Sequence, residues 1–253
     1  MSEQRAADSE RRLATWLAAL DERHLADLTV SETARALRAL SSCYVERRAK
    51  VGAALDTAGK RAAFALFYAP LHFIVVREIV RALPGATTSV RQIHDLGCGT
   101  GAAGAAWAVD CERPRMNGID RHPWAVAEAN WTYRQLGLDG KATRGDVDRV
   151  NLRGERGEGI LAAYTVNELP EGTRDALLPR LLAAHDRGSR VLIVEPIARR
   201  VAKWWDDWAT AFAAAGGAAA EWRFNVALPP RQRDLGKAAG LDPRELTARS
   251  LWL

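Results

Sequence analysis

The spacing of hydrophobic residues changes near residue 89. Before it, apolar side chains recur every three or four positions, as from Leu13 to Leu20, which is typical of amphipathic helices. After it, short apolar runs alternate with longer helical segments. We therefore predict an N-terminal helical cap over residues 1–86 and a second domain over residues 87–253.

Helix signals divide the N-terminal part into three helices. Thr29-Val-Ser-Glu32 has the form of a capping box and predicts the start of the second helix. The third helix is expected from Arg61 to Leu83, with a kink near Pro70 and a stop at Pro84-Gly85.

The second domain reads as alternating strands and helices. Strands are predicted at 89–94, 115–119, 141–145, 159–165 and 190–195, with two more near 220–227 and 247–253. Helices are predicted at 101–109, 123–136, 171–184 and 198–214. Such alternation is typical of a parallel sheet with helices on both faces. The predicted fold is therefore α/β: a seven-stranded Rossmann-like sheet with an N-terminal helical extension.

A glycine-dense loop joins the first predicted strand to its helix, with the sequence Asp95-Leu-Gly-Cys-Gly-Thr-Gly101. Glycines let the backbone turn tightly and approach a ligand closely, because no Cβ blocks it. The free N–H groups of the following helix face the same loop. A nucleotide-like ligand that also carries positive charge, such as S-adenosylmethionine, fits a loop flanked by a carboxylate.

This loop resembles motif I of the class I S-adenosylmethionine-dependent methyltransferases. The resemblance implies that Asp95 holds the amino group of the cofactor and that the loop cradles it through Gly97, Cys98, Gly99 and Gly101. The alternative is a dinucleotide site, since 99–104 also satisfies G-x-G-x-x-G. The acid before the glycines, the long helical sequence upstream and the later motifs favour the methyl donor.

Two acids end the next predicted strands. Asp120 follows the second strand, where a carboxylate accepts hydrogen bonds from ribose hydroxyls; the alternative role is an N-cap for the helix that begins at Pro123. Asp146 follows the third strand. Resemblance to the superfamily implies that its side chain takes the adenine amino group and that the Val147 backbone takes the ring edge; the alternative is a turn acid.

The fourth strand runs into Tyr164-Thr-Val-Asn-Glu-Leu-Pro170. Ligands bind beyond the carboxyl ends of strands in open parallel sheets, so we predict Asn167 and Glu168 as catalytic residues beside the methyl group. An Asn carbonyl can accept a hydrogen bond from a nucleophilic amine and orient its lone pair. The alternative is a simple turn.

Two tyrosine side chains complete the predicted site. Tyr164 is assigned to the cofactor contacts. Tyr68 and His72 are four residues apart on the third helix, which can cover the cofactor in this fold. Tyr68 is assigned to the cofactor contacts, and a site role is the alternative interpretation for His72.

Several segments together resemble the methyltransferase-like family of mitochondrial small-ribosomal-subunit assembly factors and their bacterial relatives. They are the Asn-Glu-Leu-Pro run, Leu-Ser-Ser-Cys-Tyr44, Tyr68-Ala-Pro-Leu-His-Phe and Val194-Glu-Pro196, within about residues 28 to 196. The resemblance implies ribosomal RNA or the small ribosomal subunit as partner. Members commonly bind an iron–sulfur cluster through C-terminal cysteines, but this chain has no cysteine after Cys111. We therefore expect no cluster and no metal.

Composition indicates the cellular location of the protein and the charge of the partners it can bind. The net charge of +5 and the pI near 9.4 permit an acidic partner such as RNA without requiring one. Three cysteines without a C-x-x-C pair indicate a reducing, cytoplasmic location. The polar N-terminus lacks a signal-peptide core, and the longest apolar run, 62–76, is shorter than the ~20 residues of a membrane span.

Two groups near the C-terminus are interpreted as structural. Core packing is predicted for Trp204, Trp208 and Phe212, which share one helix face. A solvated surface is predicted for the basic residues Arg231, Arg233, Lys237, Arg244 and Arg249.

Three functions stay open. The first is methylation of RNA on or near the small ribosomal subunit. The second is methylation of a small molecule or a protein side chain. The third is a cofactor-binding assembly factor that does not turn over.

Overall fold

The computed structural model describes residues 3–46, 55–197, 204–241 and 245–253. The N-terminal part forms α1 (Glu3–His24), α2 (Val30–Glu46), α3 (Ala58–Ala63) and α4 (Ala69–Ala82). The sheet strands are β1 (Gln92–Leu96), β2 (Arg115–Asp120), β3 (Gly140–Arg144), β4 (Glu158–Ala163), β5 (Arg190–Glu195), β6 (Ala218–Phe224) and β7 (Leu246–Trp252). The remaining helices are α5 (Ala102–Val109), α6 (Pro123–Gln135), α7 (Glu171–Asp186), α8 (Trp205–Ala214) and α9 (Pro230–Ala238).

The predicted capping box opens α2. The Glu32 carboxylate accepts the Thr29 backbone N–H at 2.8 Å, and the Thr29 hydroxyl oxygen accepts the Glu32 N–H at 3.2 Å. Two backbone donors at the helix start are thereby satisfied.

The predicted kink near Pro70 is a π-helical turn. Residues Phe64–Tyr68 form this turn between α3 and α4, and the Ala69 N–H donates to the Phe64 carbonyl, five residues back. Proline lacks an N–H and its ring clashes with the carbonyl four residues earlier. A π turn placed just before Pro70 widens the backbone at that point.

The strand order is β3-β2-β1-β4-β5-β7-β6. The first five strands in this order are parallel, and β7 is antiparallel to both β5 and β6. The chain order reverses between β1 and β4, which is where ligands bind in open parallel sheets. The loops after β1, β2, β4 and β5 therefore meet at one edge of the sheet.

Helices cover both faces of the sheet, as predicted. One hydrophobic cluster joins the N-terminal helices and α5 to one face and includes Trp16, Phe73 and Trp107. The other joins α7 and α8 to the opposite face and includes Leu177 and Phe212. The rings of Trp16 and Phe73 lie 5.4 Å apart within the N-terminal helices. The same cluster includes Ile93 of β1 and Leu161 of β4, so these helices and the sheet share one core.

The stretch Ala58–Ala82 is longer than the predicted apolar run. By length and composition it could cross a membrane, but 72% of its most apolar window is buried inside the protein. Its apolar residues pack against α5 and the sheet rather than pointing outward.

The C-terminal part departs from prediction in two ways, at α9 and at Arg249. Helix α9 was not predicted, because its sequence is rich in charged residues. The first residues of the predicted helix 198–214, up to 203, and Arg244 lie outside the described residues. The interpretation of Arg249 as solvated is wrong: it is buried, with its guanidinium 4.0 Å from the Trp205 ring centre. Core packing is confirmed for Trp208 and Phe212.

Candidate active site

The loop glycines follow β1 with left-handed backbone. Gly97, Gly99 and Gly101 have φ of 66°, 53° and 76°. A Cβ on Gly97 would lie 2.5 Å from the Thr165 side chain, whereas a Cβ on Gly99 would meet only the Phe64 ring, at 4.0 Å. Gly97 is therefore required by packing, and Gly99 borders space that a ligand can approach.

Asp95 lies at the end of β1, buried beneath the loop. Its carboxylate accepts the Gly104 backbone N–H at 3.2 Å and so holds the start of α5 against the strand. Burial, together with the nearby Asp120 charge, raises the pKa of Asp95 to about 7, although the Gly104 hydrogen bond opposes the shift. A direct contact with the cofactor's amino group stays a prediction.

Asp120 ends β2 beside the same loop. One of its oxygens accepts the Gly99 N–H at 2.9 Å and the other accepts the His122 N–H at 2.8 Å. The N-cap of α6 is His122 rather than Asp120. A carboxylate has about four acceptor positions, so Asp120 can hold the loop and still accept hydroxyl donors.

The residues after β3 form the next wall. Asp146 pairs with Arg121 at 3.2 Å, and both side chains are substantially exposed. Val147 is buried at the start of a 3-10 turn. On the loop itself, the Cys98 N–H donates to the Ile119 carbonyl at 2.9 Å, and burial raises the pKa of its thiol.

Aromatic rings from the π turn and α4 lie over the end of β4. His72 stacks on Tyr164, with ring centres 3.8 Å apart and planes 14° from parallel. The Tyr68 ring lies 6.2 Å from His72, and Phe64 is the ring that faces Gly99. Burial lowers the pKa of His72 to about 3, which keeps its ring neutral near pH 7. Tyr164 adopts this position with φ of 56°, an uncommon backbone for a tyrosine.

Asn167 is held on both sides of its amide. Its Nδ2 donates to Glu195 at 2.6 Å, its backbone N–H donates to the other Glu195 oxygen at 3.1 Å, and its Oδ1 accepts the Trp204 indole N–H at 3.1 Å. These contacts fix which side of the amide is the carbonyl. The Oδ1 retains one lone pair for a further donor.

Glu195 was missed as a site residue by the sequence analysis. It ends β5 and is fully buried. Burial, with the nearby Glu168 charge, raises the pKa of Glu195 to about 8, while hydrogen bonds from Asn167 and Val166 and the Arg249 charge oppose the shift. An acid that ends a strand, like Asp95 and Asp120, was the available signal. Glu168 itself is exposed.

No group of three metal-ligating His, Cys, Asp or Glu side chains occurs within the described residues. The expected absence of a metal stays a prediction.

Comparison with known proteins gives one family match and two distant structural likenesses. Residues 77–155, which run from α4 to just before β4, match the family model of the methyltransferase small domain. Magnesium protoporphyrin IX methyltransferase from Synechocystis PCC 6803, solved with S-adenosylmethionine, is 16% identical with a TM-score of 0.49, over 72% of this chain and 78% of that one. Precorrin 8W decarboxylase from Methanobacterium thermoautotrophicum is 17% identical with a TM-score of 0.46, over 71% and 89%.

The strand order is the direct evidence for the fold. Strand order, the glycine loop after β1 and the family match define the class of the chain: an S-adenosylmethionine-dependent methyltransferase of the class I fold. No curated protein matches the sequence.

Proposed function

We propose that this protein methylates RNA of the small ribosomal subunit in the cytoplasm, at the sheet edge between Gly99 and Asn167. The observation that carries the proposal is the fixed amide of Asn167. Glu195 and Trp204 hold its carbonyl oxygen in one orientation, on the same edge as the glycine loop. An oriented carbonyl suits an acceptor that carries an N–H, such as the amino group of a base.

The residues around the loop fit the cofactor. Gly99 borders open space, and Asp120 lies within hydrogen-bond distance of its N–H. When bound, S-adenosylmethionine supplies a methyl group on a positively charged sulfur. We infer that Asp120 binds the ribose hydroxyls, that Asp146 and Val147 bind the adenine, and that the rings of Tyr68 and Tyr164 exclude water.

The aromatic rings beside Asn167 support a base as acceptor. Unpaired bases bind proteins by stacking on aromatic side chains while their polar edges are hydrogen-bonded. Tyr164 and Asn167 follow β4, and His72 stacks on Tyr164 from α4. Aromatic rings for stacking and an amide for hydrogen bonding to the edge of a base therefore lie at the same end of β4. The net charge of +5 is compatible with an RNA partner.

The test is transfer of tritiated methyl groups from S-adenosylmethionine into separated RNA, protein and small-molecule fractions of cells that lack the gene. We expect label in small-subunit RNA. Label confined to protein or to small molecules would show that this fraction, and not RNA, contains the methyl acceptor. Cofactor binding without label in any fraction would indicate an assembly factor without turnover.

The variant Asn167→Ala tests the proposed acceptor centre. We expect turnover per folded molecule to fall by about 10²-fold while the affinity for S-adenosylhomocysteine changes only a few-fold, because the amide acts mainly in the transition state. Asn225→Ala, at an exposed asparagine, is the matched control. Unchanged turnover in Asn167→Ala would make this residue structural.

A further inference from the structure

The sheet edge opposite the glycine loop carries a groove rich in arginine. Two adjoining cavities of about 270 and 310 Å³ share Arg156 and Gly157. Arg91, Arg113 and Arg115 line the first cavity, and Arg190 lines the second. We call this the amino-edge groove, because the parallel strands begin there.

The arginines follow the strand starts in spatial order. Arg115 begins β2, Arg91 immediately precedes β1, Arg156 precedes β4 and Arg190 begins β5. These four strands are consecutive neighbours in the sheet. Neighbouring strands lie about 4.8 Å apart, so the row extends over about 14 Å. A row of cations spaced by a few ångströms suits the repeating charge of a nucleic-acid strand better than a single phosphate.

Glycines seat two of these side chains. A Cβ on Gly157, where φ is 90°, would lie 3.0 Å from the Arg91 guanidinium carbon. A Cβ on Gly188, where φ is 107°, would lie 2.8 Å from Cγ of Arg156. The backbone at both positions is open only to glycine without strain, and the missing Cβ lets the exposed side chains of Arg91 and Arg156 lie close against the chain.

The positive charge of the groove is incompletely neutralised. Arg91 donates to the Arg156 carbonyl, a neutral partner that orients the guanidinium without cancelling its charge. Among the residues the structure describes, Arg113, Arg156 and Arg190 have no carboxylate partner.

Three acids also line the groove, and two of them are already engaged. The carboxylate of Glu158 is turned inward to His94 and Ser189. Asp139 pairs loosely with Arg115 at 3.7 Å, with both side chains largely exposed, so solvent screens that pair. Glu155 is the third.

We propose that the amino-edge groove binds the phosphodiester backbone of a single RNA strand. Guanidinium groups bind phosphate oxygens through paired N–H donors, and several in a row retain a flexible strand without reading its sequence. The proposal rests on the proposed function for the choice of RNA. It adds a second contact, on the far side of the sheet from Asn167, that would position the substrate.

The test is fluorescence anisotropy with a labelled oligouridylate of about 20 nucleotides, titrated between about 50 and 200 mM salt. The double variant Arg113→Gln/Arg115→Gln is compared with Arg233→Gln/Lys237→Gln, which removes two exposed charges from α9. We expect the groove variant to bind about tenfold more weakly and to lose about 1.4 from the salt slope, since each phosphate contact contributes about 0.7. The α9 variant should bind like the wild type.

A further variant, Arg190→Gln, tests the far end of the row and should weaken binding as well. Equal losses in the groove and α9 variants, no loss in the groove variants, or no binding by the wild type would overturn the proposal. So would displacement of the RNA by inorganic tripolyphosphate or polyglutamate as effectively as by unlabelled RNA.

Binding of S-adenosylhomocysteine is measured on the same samples. Its retention in every variant shows that the fold is intact. If the wild type binds S-adenosylhomocysteine but not RNA, only the proposal for the amino-edge groove is refuted. If the wild type does not bind S-adenosylhomocysteine, the proposed function is refuted.

Discussion

Gly97 and Gly99 have similar backbone angles but different surroundings. Gly97 has its hydrogen atoms against Thr165, the residue that links the end of β4 to the loop by donating its hydroxyl to the Gly97 carbonyl at 3.2 Å. Gly99 instead borders the space beneath Phe64. The same residue type therefore serves packing at one position and ligand access at the other.

The variant Gly97→Ala should separate strain from collision. Alanine in a left-handed backbone costs about 1–2 kcal/mol, and at Gly97 the collision with Thr165 adds to this. Gly137→Ala is the matched control, because Gly137 has φ of 63° and no atom within 4 Å of its added Cβ. Urea unfolding should show the larger loss for Gly97→Ala; equal losses would mean that Thr165 moves freely away.

Glu195 predicts how stability depends on pH. Its folded pKa of about 8 exceeds the ordinary value of 4.5, so the folded protein holds a proton that the unfolded chain releases. Its contribution is fully present below pH 4.5 and is lost as pH rises through about 8. Glu195→Gln removes this ionisation, while Asp95 titrates in both proteins.

We therefore expect the free energy of unfolding of Glu195→Gln to fall less between pH 5 and pH 8.5 than that of the wild type. The change of unfolding free energy with pH is the relevant quantity, rather than its absolute value, because Gln also alters the hydrogen bonds to Asn167. Parallel profiles for the two proteins would refute the raised pKa.

Local spacing explains which site residues could be predicted. The positions of Asp95, Asp120 and the loop glycines depend on one strand–turn–helix unit, which the sequence shows directly. The environments of Glu195 and Arg249 depend on the pairing of β5 with β7, strands that lie far apart in the sequence. No local pattern indicates that pairing, so Arg249 was misassigned. The position of Glu195 at the end of a strand was a local signal, but its complete burial was not predictable from the sequence.

At the scale of elements, the βα units were predictable because their apolar strands alternate with helices. Strand β5 was predicted with its observed bounds, 190–195. Helix α9 was not predicted, because its sequence is mostly polar and charged. Tertiary contacts nevertheless bury one side of this helix. Gln232 donates to the Leu66 carbonyl at 2.7 Å, and Arg231 pairs with Asp21 of α1 at 3.0 Å.

A buried acid joins α1 to α6. Glu128 is fully buried and contacts His24 at 2.7 Å and Arg23 at 3.1 Å. Removing one partner of a buried pair costs about 3–5 kcal/mol, and exposure of Arg23 reduces this, so we expect Glu128→Ala to cost about 2 kcal/mol. Hydrogen exchange in α1 should accelerate, while Glu22→Gln on the exposed side of α1 should change little. Unchanged protection of α1 would contradict this link.

At the scale of the whole molecule, the two edges of the sheet differ in chemistry. The carboxyl edge carries the glycine loop, Asp120 and the Asn167–Glu195 pair, and the amino edge carries the arginine groove. The helices of residues 1–86 share a core with the sheet and place Phe64 over Gly99. The boundary near residue 87 stays a prediction, and a shared core favours unfolding of both parts together.

The most direct test of the account is calorimetric titration of the wild type and Asp120→Ala with S-adenosylhomocysteine. We expect micromolar binding by the wild type. The variant should bind at least tenfold more weakly, because each hydrogen bond to a charged acceptor contributes about 1.5–3 kcal/mol. Absence of binding by the wild type, or tight binding of a nicotinamide dinucleotide in its place, would contradict the assignment of this site to S-adenosylmethionine.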